Sequence, residues 1–229
     1  MKIVVFTGAG MSAESGIQTF RDSGGLWEGY RVEDVAHPLA WKRNPEQVLR
    51  FYNERRRKIL EAVPNEAHYY FAQLQEFHSV QIITQNIDDL HERAGSKRVW
   101  HLHGEILKKR SERNPNRIEE VRGDMIPGER DEEGALWRPH IVWFDEPVPA
   151  MEKAIAFAQE ADLFIVVGSS LQVYPAASLL HYIRDTVPVV VIDRKIPRLM
   201  NSHVVAIELP ATQGVVQLHE WLTSFWKET

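Results

Sequence analysis

Two histidines two residues apart stand in His101-Leu102-His103-Gly104. On an extended segment alternate side chains point the same way, so both imidazoles would share one side. Imidazole ionises near neutrality and suits a general base, and a pair of imidazoles suits a metal ion. No third or fourth ligand follows at a useful spacing, which favours the base. A second group, Thr84-Gln85-Asn86-Ile87-Asp88, follows a β-branched run. Asn86 presents a donor and an acceptor, the complement of a carboxamide, although an Asx turn or helix cap into Asp89-Leu90-His91 needs the same residues. A third, Gly8-Ala9-Gly10-Met11-Ser12-Ala13-Glu14-Ser15-Gly16, follows the first such run. Glycines at a strand-to-helix turn let the backbone approach a pyrophosphate, and they equally suit a plain tight turn. Ser12 stands where the dehydrogenase fingerprint has its third glycine, so this is not a standard hydride-transfer loop. Tyr52 and Arg55 lie three apart on a predicted helix and share a face. A phenol beside a guanidinium is good chemistry for a carboxylate, while Arg55-Arg56-Arg57-Lys58 also reads as a solvated basic face.

Short β-branched runs over 2–7, 79–84, 163–168 and 187–193, with a weaker one over 204–209, read as buried parallel strands. Helical stretches over 45–62, 67–75, 151–160, 176–184 and 215–226 separate or follow them, and Asn65 is a plausible N-cap. The pattern predicts an α/β fold, a Rossmann-like doubly wound parallel sheet. Two stretches break the alternation. Residues 28–71 are helical, aromatic and basic, and 104–137 is so dense in charge that it reads as an exposed, partly flexible excursion. The expected organisation is one domain, with 1–27, 72–103 and 138–229 forming the sheet part and the two insertions a small lobe. The 229 residues carry a net charge of −5 and no cysteine. That excludes disulfides, thiolate metal sites and a cysteine nucleophile, and gives no electrostatic reason to expect nucleic acid or membrane as a partner. No apolar run approaches membrane-spanning length, and a cytoplasmic protein is expected.

The motifs continue in order with Arg138-Pro139-His140-Ile141-Val142-Trp143-Phe144 and with Gly168-Ser169-Ser170-Leu171 followed by Val173 and Pro175-Ala176. Together with the segment from Gly8 to Arg21, this series closely resembles the sirtuins, the NAD-dependent protein deacylases. The resemblance implies that the loop from Gly8 to Trp27 wraps NAD. Gly8, Ala9 and Gly10 would lie against the diphosphate, with Ser12 and Ala13 beside them, Phe20 on the nicotinamide side and Arg21 at the phosphate or ribose. Gln85 would bond ribose hydroxyls, and Asn86, Ile87 and Asp88 would serve the nicotinamide end. Gly168, Ser169 and Ser170 would hold adenosine and phosphate. Asp193, where the family has Asn, would take ribose hydroxyls, and Ala211 would touch adenine through its backbone. The family match selects His103 as the base, leaving His101 a structural residue. His103 would activate the ribose 2′-hydroxyl, and the products would be nicotinamide, free lysine and O-acyl-ADP-ribose. In class III of the family, a Tyr-x-x-Arg at the place of Tyr52 and Arg55 binds the carboxylate of succinyl- or malonyl-lysine. Ile141, Val142, Trp143 and Phe144 would pair with the substrate backbone. The expected partners are acetyl-, succinyl- and malonyl-lysine side chains of proteins, and a monomer is expected.

Two departures stand out. Asp145 replaces the glycine that usually follows the aromatic, and Asp takes positive φ less easily. Most sirtuins also hold a structural zinc with four cysteines, whereas here Ser111 and Asn114 stand at the spacing of one pair and the returning pair is missing. No zinc is expected, and 106, 118, 121, 126 and 137 are the apolar positions available to pack the lobe instead. The competing readings are an NAD-binding module with weak catalysis and an NAD hydrolase or ADP-ribosyltransferase.

Overall fold

Buried β-branched runs set the architecture. In chain order, β1 (Lys2–Thr7) leads into the single turn α1 (Gly10–Ala13), and β2 (Leu26–Trp27) pairs antiparallel with β3 (Tyr30–Arg31). Four helices follow: α2 (Val32–Val35), α3 (Pro38–Arg43), α4 (Pro45–Glu61) and α5 (Glu66–Phe77). Then come β4 (Ser79–Thr84), α6 (Leu90–Arg93) and β5 (Val99–His101), and next β6 (Gly104–Ser111), β7 (Ile118–Glu120) and β8 (Trp137–Ile141). The remaining elements are α7 (Met151–Gln159), β9 (Leu163–Val167), a 3-10 helix (Ala176–Tyr182), β10 (Val189–Ile192), β11 (Val204–Ile207) and α8 (Ala211–Glu228). This computed structural model describes residues 1–18, 26–27, 29–196 and 204–228, with only the backbone of Leu26, Trp27 and Glu228. Among the described residues no helix is long and apolar enough to cross a membrane.

Six parallel strands form the main sheet in the order β11-β10-β9-β1-β4-β5. The chain leaves β1 toward β4 and β5, then crosses to β9 on the other side, so the order reverses between β1 and β9. In open α/β sheets ligands bind at such a reversal, outside the carboxyl ends of the strands. One face (Ile3, Val5, Ile82, Ile165) packs on Phe71 of α5 and on Leu218 and Leu222 of α8. The other face (Val4, Phe6, Ile83, Val166) packs on Ala154 and Ala158 of α7. Asn65 caps α5 as expected, in a reciprocal capping box closed by His68.

Three expectations are corrected. The stretch expected as an α-helix over 176–184 is a seven-residue 3-10 helix. The main sheet has a sixth strand, β5, whose three half-buried residues make no recognisable run. Residues 104–137 hold an antiparallel sheet in the order β7-β6-β8, in place of an excursion. Its charges alternate with buried residues, so composition hides the pattern. Lys109, itself buried, lies over the Trp137 ring at 4.6 Å and reaches Glu129 at 2.5 Å. Ile106 and Trp137 do enter the lobe core, whereas Ile118 and Ile126 are 42% and 66% exposed and Met125 is buried in their stead. The same core takes Val48, Phe51 and Ile59 from α4, so both insertions share it.

The core also holds uncharged histidines. His68 and His91 are buried with ring centroids 4.9 Å apart. Burial, helped by the nearby Arg93 cation, lowers the His68 pKa to about 4; burial also lowers His91 well below its usual value. Burial lowers His140 to about 4 as well. These rings stay neutral in the folded chain, while an unfolded chain takes up protons below about pH 6.5. Stability should therefore fall as pH drops from about 6.5 toward 4, by roughly 1.4 kcal/mol per pH unit for each of the two fully buried rings. Asp88 and His101, both raised, act in the opposite sense, two groups against the four lowered histidines once His103 is included. The urea midpoint at pH 5.0 is expected below that at pH 6.5, and equal midpoints would contradict the assignment.

Candidate active site at the strand ends

Strand register brings the site together. Thr7 pairs with Thr84 and with Val167, and Thr84 pairs with His101. Gly8, Gln85, Leu102 and Gly168 therefore leave the sheet at one level. The Gly8 N–H donates to Val167 O at 3.0 Å and the Gly10 N–H to Gly168 O at 2.8 Å. Gly168 has φ +63, and a Cβ there would lie 2.2 Å from Met11 N. The loops after β1 and β9 thus touch backbone to backbone, which only glycine permits.

Behind them lies a buried polar chain. The Asn86 side-chain amide donates to Gly8 O at 3.0 Å and to Ser12 Oγ at 3.1 Å, and the Ser12 hydroxyl donates to Asp88 Oδ2 at 3.0 Å. Asp88 Oδ1 accepts the Leu90 N–H, so Asp88 also serves the start of α6. Burial raises the Asp88 pKa, against the pull of those hydrogen bonds and of the His101 and Arg55 charges. Gln85 Nε2 donates to Ser169 Oγ at 2.9 Å and ties the β4 loop to the β9 loop.

Both histidines do face the same loop. His103 Nδ1 is 3.1 Å from Gln85 O. A carbonyl only accepts, so Nδ1 carries the proton and Nε2 keeps its lone pair. Burial lowers the His103 pKa, partly offset by the Gln85 carbonyl, so the ring is a neutral base at pH 7. Gly104 follows at φ +84, where a Cβ would meet His140 O at 2.0 Å, so β6 starts hard against β8 directly after the base.

The substrate residues meet on α4 and the segment after β8. Trp143 Nε1 donates to the buried Tyr52 hydroxyl at 3.0 Å. That leaves the phenolic proton with no acceptor among the described residues, and burial raises the Tyr52 pKa so that it stays protonated. Arg55 is buried and its charge acts on both Tyr52 and Asp88. The reading of 55–58 as a solvated face holds only for Arg57 and Lys58. Arg56 is fully buried; its Nε donates to Ile106 O at 2.9 Å and its Nη1 to Asn53 Oδ1 at 2.7 Å. The added-strand reading of 141–144 changes in one respect. The N–H groups of Val142, Trp143 and Phe144 already donate to His103 O, Glu146 Oε2 and Ala36 O. What remains for an incoming backbone is carbonyl oxygen. Sequence reasoning missed Glu146, which holds Arg138 through both carboxylate oxygens while Arg138 stacks on Trp143 at 3.5 Å. An eight-residue spacing carries no periodic signal. Asp145 does adopt positive φ, +65, and its carboxylate sits 2.9 Å from His37 Nε2. Asp is one of the few residues that visit this region, and the His37 contact offsets the strain.

Asp193 follows β10 beside Gly168, whose N–H donates to Ile192 O, and Asp193 Oδ1 accepts the Lys195 N–H. Ala211 opens α8, where Thr212 hydrogen bonds Glu14 of the first loop. Ser170 is half-buried next to Ser169. Phe20, Arg21 and the side chain of Trp27 lie outside the described residues.

A zinc ion does not fit the lobe. Ser111 Oγ accepts the N–H groups of Arg113 and Asn114, and Asn114 Oδ1 accepts that of Asn116. Opposite them, Asp131 Oδ1 accepts the Glu133 and Ala135 N–H groups, and the Ser111 hydroxyl is the main cause holding the Asp131 pKa low. One hydroxyl and one carboxylate, already committed to turns, do not make the four thiolate or imidazole donors of a structural zinc site. The cofactor cradle, by contrast, fits a dinucleotide: two glycine loops in contact, with polar side chains behind them at the sheet's switch point.

Comparison with known proteins supplies the class. Residues 8–175 match the Sir2 family. A Helicobacter pylori protein named NAD-dependent protein deacylase is 50% identical over 201 residues, 88% of this chain and 86% of that protein. The crystal structure of a Sir2 homologue–NAD complex superposes with a TM-score of 0.88 at 38% identity, covering 97% of this chain and 90% of the other. A Sir2–p53 peptide–NAD+ structure superposes with a TM-score of 0.81 at 34% identity, covering 95% and 92%. An α/β dinucleotide fold with this site defines the class, and the chain belongs to the Sir2 family.

Proposed function

We propose that this chain is an NAD-dependent protein-lysine deacylase acting on succinyl- and malonyl-lysine as well as acetyl-lysine. The observations that carry the reading are His103, oriented through Nδ1 by the Gln85 carbonyl so that Nε2 keeps its lone pair, and Tyr52 and Arg55, both buried one helix turn apart on α4. Bound NAD supplies the ribose carbon that accepts the acyl oxygen as nicotinamide leaves. The chain's residues do the rest. The glycine loops give the diphosphate close backbone approach. Asn86 has spent its N–H donors on Gly8 and Ser12, so its Oδ1 is the atom left to accept from the carboxamide. His103 Nε2 takes the ribose 2′-hydroxyl proton. The Tyr52 hydroxyl and the Arg55 guanidinium receive the carboxylate of an acidic acyl group. The partner is thus an acylated lysine of another protein, and the chain works as a cytoplasmic monomer with 28–71 and 104–137 acting as one lobe.

Nicotinamide release is measured with and without a succinyl-lysine peptide. Release that requires the peptide, with free lysine formed, supports deacylation. Release without peptide favours an NAD hydrolase or ADP-ribosyltransferase, and NAD binding without turnover favours a binding module. A positioned base is of no use to a pure binding module, which weighs against that last reading. Arg55→Met should lower desuccinylation about a hundredfold, the scale of a lost charge-assisted pair, and leave deacetylation within a few-fold. Equal loss of both would refute the carboxylate role.

A further inference from the structure

The second histidine of the pair is built differently from the base. His101 Nδ1 lies 3.0 Å from Asn86 O, and its Nε2 lies 2.8 Å from Glu92 Oε1. Both partners are acceptors: a backbone carbonyl and a carboxylate that is 39% exposed. A neutral ring has one N–H and cannot satisfy both. The ring is nearly enclosed, with 9% of its side chain exposed.

We propose that Glu92 holds His101 as an imidazolium and that this fixed cation positions the Asn86 carbonyl, and through it the nicotinamide-reading end of the site. This rests on the deacylase reading above. His101 touches no reacting atom, so it is a positioning residue. Asn86 and Gln85 are consecutive, and their carbonyls are gripped by His101 and His103 respectively. The turn that presents the Asn86 amide to the cofactor is therefore pinned from below by two rings of different charge, one a cation and one a base. The groups facing His101 fit this division. Burial opposes its charge, while Glu92 of α6, Glu105 of β6 and the Asn86 carbonyl favour it; the net direction of its pKa is upward. Asp88, on the loop between, feels the same cation, which pulls against the burial that raises its pKa. His91 of α6 feels the charge too, and is kept neutral.

The test is a charge-state measurement joined to a pH profile. In the full chain, 15N chemical shifts should show both His101 nitrogens protonated at pH 8. In Glu92→Gln the neutral ring should appear at that pH. The same variant should raise the KM for NAD about tenfold at pH 8, with the peptide KM unchanged. At a pH low enough for the 15N shifts to show the variant ring protonated again, its NAD KM should return to within about twofold of the parent at that pH. His101→Gln should show the NAD defect at both pH values. A neutral His101 in the parent at pH 8, or a Glu92→Gln defect of equal size whether its ring is neutral or protonated, overturns the proposal. The 15N readout stands whatever the substrate proves to be, so failure of the deacylase reading and failure of this one are separable.

Discussion

Replacing His103 with alanine should lower peptide-dependent lysine release at least about a hundredfold, within the range that a positioned general base contributes. NAD affinity should change little. The chain from Gly8 through Asn86 and Ser12 to Asp88 does not pass through His103, and Gln85 keeps its side-chain bond to Ser169 without it. The loss should therefore fall on kcat, measured at saturating NAD and peptide, with binding followed separately by calorimetry. The parent's pH profile should agree. His103 works as the free base, and burial lowers its pKa, so kcat/KM should hold level through pH 7 and fall only below the usual imidazole range. Retained turnover in the alanine variant would remove the base from His103.

The second large effect concerns stability. Arg56 is fully buried where α4 crosses the lobe, and its guanidinium donates to Ile106 O of β6, to Asn53 Oδ1 and to Gly123 O. Asn53 in turn exchanges two hydrogen bonds with the Met125 backbone. One helix turn thereby staples two separate parts of the lobe. Arg56→Ala strands the buried Ile106 carbonyl and opens a cavity, and should cost about 3–5 kcal/mol. Arg56→Met fills the volume but leaves the Ile106 carbonyl without its donor, and should cost less. Urea unfolding reads both. A chelator should leave the parent's midpoint unchanged, because the clip is made of side chains. A midpoint that drops with chelator, or an Arg56→Ala variant as stable as the parent, would sink this account.

How far the sequence carried the reading depends on the range of each interaction. Strands buried on both faces write themselves as continuous apolar runs, so β1 and β4 are legible to the residue. The Asn65 cap is legible because its partners lie within three positions. The glycine loop, the Gln85–Asp88 segment and the histidine pair are likewise local. Pairings across the chain are not. Tyr52 and Trp143 are 91 positions apart, and neither shows the other in its own surroundings. The antiparallel sheet of the lobe was hidden for another reason. Lys109 and Ser111 are buried polar residues at inward positions, which a count of charges reads as surface. The missing cysteines were visible as a gap, but nothing near Ser111 announces Asp131, which faces it twenty positions on.

That substitution has a thermodynamic consequence. A domain clipped by a bound ion gains stability in proportion to the logarithm of free ion over its dissociation constant, and some molecules are always empty. A lobe closed by Arg56, Asn53, Ser111 and Asp131 has no such dependence. Its folded population is homogeneous from synthesis onward, and its melting temperature carries no memory of the medium's trace metals.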